Sequence, residues 1–299
     1  ISELTRIALE NQNYPVFSFE IGCKDPKAPT LGLFGGVHGL ERVGTHVIIS
    51  YLKGLFKQLK WDEDLRNLLK TSRIVSIPLI NPGGMALKWR SNPNGVDLMR
   101  NSPVEAVGEN LPFLICGHRL TNKMPWYRGK LGAAMEIESE ALVNYVRREI
   151  FSSKLSLTVD FHSGFGFKDR FWYPYAKTKK QFPRIKEVLA LKNLLDDTLP
   201  HHIYSIEPQS YNYTTHGDIW DFLFDEHKLT NSNNIFIPWT LEMGSWNWVR
   251  KNPKQIFNPL GLFNPIIEHR YERTMRRHKA LIDFLFSATR NKSWLKNEV

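Results

Sequence analysis

Leu31-Gly32-Leu33-Phe34-Gly35-Gly36-Val37-His38-Gly39-Leu40-Glu41 is an apolar run that ends in glycines, then in a histidine and a glutamate three apart. A short apolar run stopped by Gly35-Gly36 reads as a strand buried on both faces. Val43 to Lys60 follows with Val47, Ile48, Tyr51, Leu52, Leu55 and Leu59 at helical spacing. Strand, turn and helix in that order build α/β proteins. Strand ends beside glycines let side chains project into the crevice where such proteins place ligands. On a turn entering a helix, His38 and Glu41 can point the same way. Imidazole nitrogen and carboxylate oxygen are both zinc donors. Alone, the pair reads more readily as the start of a surface helix.

The same pattern recurs along the chain. Val16 to Ile21 reads as a strand, and Arg73 to Ile80 is an apolar run stopped by Asn81-Pro82-Gly83-Gly84, a turn signal. Glu138 to Ile150 and Lys186 to Leu195 read as helices, Leu155 to Phe161 and Phe236 to Leu241 as strands. Pro265 to Phe286 reads as a long final helix. Two irregular stretches, Asn81 to Leu131 and Leu199 to Ile235, carry Trp89, Trp126, Tyr127, Tyr211, Tyr213 and Trp220. Long loops in a compact domain are usually functional, and aromatic ones are expected as pocket walls.

Composition narrows the class. The chain has 299 residues, 42% hydrophobic and 23% charged, which excludes a mainly disordered protein. No stretch reaches the roughly 18 apolar residues of a membrane span. There is no repeat or obvious linker, so residues 1–299 are expected to form a single domain. The net charge of +10 favours acidic partners such as anionic substrates, cell-wall polymers or phospholipid surfaces. No nucleic-acid motif accompanies it, so nucleic acid is not an expected partner. The basic cluster from His269 to Lys279 reads as one solvated face of the last helix. Cys23 and Cys116 are either a pair or two separate thiols. The chain starts at Ile1, not Met, which leaves a removed signal open. A soluble protein, cytoplasmic or exported, is expected; oligomeric state is left open.

Three further segments bear chemistry. Val159-Asp160-Phe161-His162-Ser163-Gly164 again runs a buried strand out into a histidine. Two histidines and a glutamate make the open three-ligand set of catalytic zinc sites. Thr240-Leu241-Glu242-Met243-Gly244 ends a third strand at a carboxylate suited to a general base. A surface salt bridge to Arg250 is the plainer reading of Glu242 taken alone. Trp89-Arg90-Ser91-Asn92-Pro93-Asn94-Gly95-Val96-Asp97-Leu98-Met99-Arg100-Asn101 sets two arginines around Gly-Val-Asp. Arginine forks suit carboxylates and developing oxyanions. Asp97 can accept a hydrogen bond from a zinc-bound histidine and fix its tautomer.

Taken in order, these segments resemble the zinc metallocarboxypeptidase family of the carboxypeptidase A type. That family shows His-x-x-Glu, Asn-Pro-x-Gly, Arg-x-Asn-x-x-Gly-[Val/Ile]-Asp-Leu-Asn-Arg-Asn, His-Ser and Thr-x-Glu. This chain has His38 to Glu41, Asn81 to Gly84, Arg90 to Asn101, His162-Ser163 and Thr240 to Glu242. Tyr173-Pro174-Tyr175 and Tyr127-Arg128-Gly129 add weaker echoes. The resemblance implies a three-layer α/β/α fold with a mixed, mainly parallel twisted sheet of about eight strands. It implies one zinc ion on His38, Glu41 and His162, with Glu242 as general base and Arg90 on the scissile carbonyl. Arg100 would hold a substrate carboxylate. Tyr213 would be the family's mobile tyrosine, with Tyr211 as the alternative.

Met99 departs from the pattern, standing where the family has Asn. Methionine donates no hydrogen bond, so carboxylate recognition is weakened or reorganised, with Asn101 as the nearby donor. Leu40 stands where digestive members carry an arginine. The resemblance puts the floor of the side-chain pocket near residues 218–221, where an Asp would favour Lys or Arg and Ile219 would favour apolar residues. The first reading is removal of C-terminal residues from peptides with a free carboxylate. The second is hydrolysis of N-acyl amino acids, because residues 35–44 also resemble the aspartoacylase and succinylglutamate desuccinylase branch. The third is a binding protein that lost turnover.

Overall fold

In the computed structural model, which describes residues 1–108, 113–231 and 233–296, eight strands form one sheet. They are β1 (Ser2–Leu9), β2 (Gln12–Gly22), β3 (Thr30–Gly35), β4 (Arg73–Ile77), β5 (Leu155–Ser163), β6 (Arg170–Tyr173), β7 (Ser205–Pro208) and β8 (Ile235–Met243). The helices are α1 (Arg42–Gln58), α2 (Glu63–Leu69), α3 (Pro82–Leu87), α4 (Ile137–Glu149), α5 (Ile185–Thr198), α6 (Ile219–Thr230), α7 (Trp246–Lys251) and α8 (Glu268–Arg290). The sheet order is β1-β2-β4-β3-β5-β8-β6-β7. The central pairs β4–β3, β3–β5 and β5–β8 are parallel, as is the edge pair β6–β7. The other pairs are antiparallel, so the sheet is mixed, as expected.

Every residue of β3, β4 and β5 is buried, which explains their continuous apolar runs. Phe34, Phe161, Phe171, Phe236 and Trp239 are among the largest fully buried side chains. Each such side chain contributes roughly 1.5–3 kcal/mol through removal from water. α1 lies directly over the end of β5. A Cβ on Gly44 would come within 2.3 Å of the Phe161 carbonyl oxygen, so only glycine allows this approach. α8 packs against α1, and its outer face exposes Arg273, Arg276 and Lys279.

Some local readings are corrected. Asn81-Pro82-Gly83-Gly84 opens α3 rather than forming an isolated turn. The Asn81 side chain accepts from the Gly84 N–H and Pro82 sits in the first turn, where its missing N–H costs nothing. The irregular stretch from Leu199 contains β7 and α6. Asp218 caps α6 by accepting from the Asp221 N–H at 2.9 Å, and Ile219, Trp220, Leu223 and Phe224 form its inner face. Cys23 and Cys116 are free thiols. Among the described residues, no helix is long and apolar enough to cross a membrane.

His278 of α8 is buried beside Tyr204, Arg277 and Asp169. Burial, reinforced by Arg277, lowers its pKa to about 4 despite the opposing charge of Asp169. The unfolded chain, with an ordinary value of about 6.5, takes up the proton first as pH falls. Stability is therefore lost between about pH 6.5 and 4. Urea unfolding of His278→Gln and wild type at pH 7 and pH 5 checks this. The variant's loss of stability between the two pH values is expected to be smaller by about 2 kcal/mol; equal losses would refute it.

Candidate metal centre

Parallel register delivers the chemical groups to one end of the sheet. β3 runs out at Gly35, three residues before His38. His162 lies on β5 directly opposite Glu242 on β8. Glu41 is the cap residue of α1, yet its carboxylate does not cap the helix. Asn264 does so instead, accepting from the Val43 N–H at 2.9 Å and donating to the Leu40 carbonyl at 2.8 Å. The Glu41 carboxylate is thereby left for the site. The turn carrying His38 and Glu41 is pressed onto α3: a Cβ on Gly39 would come within 2.1 Å of the Gly84 backbone.

His38, Glu41 and His162 are all buried, with donor atoms within 4.8 Å of one another. Glu41 Oε2 accepts from the Ser163 N–H at 2.8 Å and lies 3.2 Å from His162 Nδ1. Glu41 Oε1 accepts from Arg90 at 3.1 Å. Arg90 also reaches Asp97 Oδ2 at 3.1 Å and His38 Nε2 at 2.8 Å. Asp97 in turn accepts from Arg100 at 3.0 Å. Its distance to His38 Nδ1 is 3.8 Å, too long for the expected hydrogen bond.

Burial and charge set the protonation states. Burial, with Arg90 adding to it, lowers His38 to about 3, so its imidazole is neutral and keeps a lone pair. Burial opposes ionisation of Glu41, but the two imidazoles and Arg90 outweigh it and hold the carboxyl below its usual range. Asp97 likewise stays ionised, because Arg100 and Arg90 outweigh its burial. Glu242 behaves differently. Burial, then the charge of Glu41, push its carboxyl up to about 8. Among the described residues it accepts a hydrogen bond from the Phe165 N–H at 3.1 Å.

Two imidazoles and a carboxylate at this spacing match the open donor set of a catalytic zinc ion. His38 Nδ1 and His162 Nε2 are buried without a hydrogen-bond partner among the described residues.

The donor set opens into a cavity of about 670 Å³. Arg90, Arg100, Tyr213 and Glu242 line it, as does Met99. Tyr213 is inside, with burial pushing its hydroxyl up to about 12, whereas Tyr211 is 72% exposed. Asp218 lines the cavity, but Ile219 is fully buried away from it. Asp221 is engaged by the Ala176 and Lys177 N–H groups. Asn101 is not brought to the cavity. Its amide donates to the Arg128 carbonyl at 3.1 Å and accepts from the Glu136 N–H at 2.6 Å. Arg250 pairs with Asn247, not with Glu242.

Sequence reading gave no role to Asp160 or Asn264. Asp160 lies two residues before His162 on a strand, a spacing that puts both on one face. Asn264 is more than 200 residues from the turn it holds, and no local signal marks it.

The zinc carboxypeptidase family model, Peptidase_M14, matches residues 7–250. Carboxypeptidase D of Mus musculus is 30% identical over 95 residues, 29% of this chain and 7% of that protein. The carboxypeptidase N catalytic chain of Rattus norvegicus is 25% identical over 185 residues, 57% of this chain and 36% of that protein. The chain thus spans a minor part of these relatives. Among solved structures, thrombin activatable fibrinolysis inhibitor superposes with a TM-score of 0.67 at 17% identity, covering 95% of this chain and 67% of that one. That likeness speaks for the fold. With the family model spanning most of its length, the chain belongs to the zinc carboxypeptidase family.

Proposed function

We propose that this chain removes C-terminal residues from peptides, using one zinc ion held by His38, Glu41 and His162. The observation that carries the reading is the convergence of this donor set, Glu242 and Arg100 on one cavity. Bound zinc would polarise the scissile carbonyl and acidify water. Glu242 takes the proton of the attacking water and passes it to the departing amine. Arg90 donates to the carbonyl oxygen as negative charge develops there. Arg100 binds the terminal carboxylate, with Met99 beside it contributing no donor. Asp97 orients both arginines. Tyr213 closes over the bound terminal residue.

Asp218 on the cavity wall favours a Lys or Arg side chain at the substrate terminus. Thr240, two residues before Glu242 on the same face of β8, adds a hydroxyl to that wall. A cavity of about 670 Å³ has room for a residue with its flanking peptide, which favours peptides over small N-acyl amino acids.

Elemental analysis and peptide mass spectrometry on wild type and Glu242→Gln test the reading. The variant is expected to keep its zinc and lose turnover by about 10²–10⁴-fold. Wild type is expected to release Lys faster than Leu from otherwise identical peptides. Full activity in the variant would remove Glu242 from the mechanism, and a Leu preference would remove Asp218 from the pocket's specificity.

A further inference from the structure

We infer that Asp160 is a positioning residue for His162, and that Trp220 holds Asp160 in place for that task. The inference rests on the reading of His162 as a metal ligand. Asp160 and His162 stand on the same face of β5, opposite Thr240 and Glu242 of β8. Asp160 Oδ2 lies 2.9 Å from His162 Nε2. The two atoms are within hydrogen-bond distance, although no hydrogen bond is formed between them as the ring stands. The same oxygen accepts from the Trp220 indole N–H at 2.9 Å. Trp220 is fixed in turn by the core, its ring 5.1 Å from Phe34.

Asp160 is fully buried, and Oδ1 has no partner among the described residues. A buried carboxylate with so few hydrogen bonds is costly unless it faces positive charge. His162 is its ion-pair partner among the described residues. The two nitrogens of His162 face different carboxylates: Nδ1 faces Glu41 in the donor set, and Nε2 faces Asp160 behind it. A carboxylate behind the ring keeps the Nε2 proton in place and leaves the Nδ1 lone pair for a cation. Asp97 stands behind His38 in a similar way, but it is shared with Arg90 and Arg100. Asp160 has no arginine partner among the described residues, so no guanidinium competes with His162 for its charge. Trp220 follows Asp218 by two residues, so α6 supports both the cavity wall and this ligand.

The test is zinc affinity by chelator competition, with the cobalt(II) absorption spectrum and the metal-free melting temperature recorded alongside. Asp160→Leu removes charge and acceptor, and zinc affinity is expected to fall about 10- to 100-fold. Asp160→Asn keeps the acceptor and loses the charge, so a smaller fall is expected. Trp220→Phe keeps Asp160 but frees it; affinity is expected to fall and the cobalt spectrum to shift. Metal-free melting of the Asn variant is expected to stay close to wild type, which a merely structural role would not give. His162→Ala separates the two levels of the argument. If it loses zinc while both Asp160→Leu and Trp220→Phe bind as wild type, Asp160 has no positioning role. If His162→Ala itself binds zinc as wild type, the ligand assignment and the role of Asp160 both fall.

Discussion

Parallel pairing of β3, β5 and β8 brings the polar groups of this protein to a single point. A one-residue slip of β8 against β5 would turn Glu242 to the other face of the sheet and away from His162. The register is held by side chains buried on both faces, so it is among the most firmly specified features of the chain. His38 and Glu41 depend on the same geometry, since their turn leaves β3 alongside β5 and enters α1. Glycines at 39 and 44 let that turn lie against α3 and the end of β5 without intervening side chains.

Such convergence buries charges that must balance. Glu41, Asp97, Asp160 and Glu242 are all nearly inaccessible to water. Arg90 bridges Glu41 and Asp97, Arg100 pairs with Asp97, and His162 lies between Glu41 and Asp160. Glu242 has no cationic partner within ion-pair distance among the described residues and its pKa rises, while Glu41 and Asp97 stay ionised. Buried carboxylates that the fold brings together are thus divided into holders of positive charge and one group whose carboxyl is pushed towards its protonated form. The division comes from partners rather than residue type.

The central strands and the longer helices were legible because burial on both faces writes apolar runs, and burial on one face writes helical spacing. Boundaries of β4 and β8 shifted by a few residues, as the apolar runs do not coincide with pairing. α6 was hidden because its inner face is built from Trp220, Phe224 and His227 within an aromatic stretch. His38, Glu41, His162, Arg90, Arg100 and Glu242 were legible as an ordered set, although no one of them was informative alone. Tyr213 and Asp218 line the cavity, whereas Tyr211 is exposed and Ile219 is buried away from it, a difference that spacing does not show. Asn101 looked available for a substrate carboxylate, but its amide bonds to backbone at both ends. Contacts such as those of Asn264 depend on distant parts of the chain and left no local trace.

The central claim is that Arg100 and the donor set act together on a free C-terminus. The most direct measurement is a mass-spectrometry time course on one peptide supplied as the free acid and as its C-terminal amide, with zinc-loaded protein. The account predicts stepwise loss of single residues from the acid and none from the amide. Internal cleavage of both forms, or deacylation of N-acyl amino acids with the peptide left intact, would contradict it.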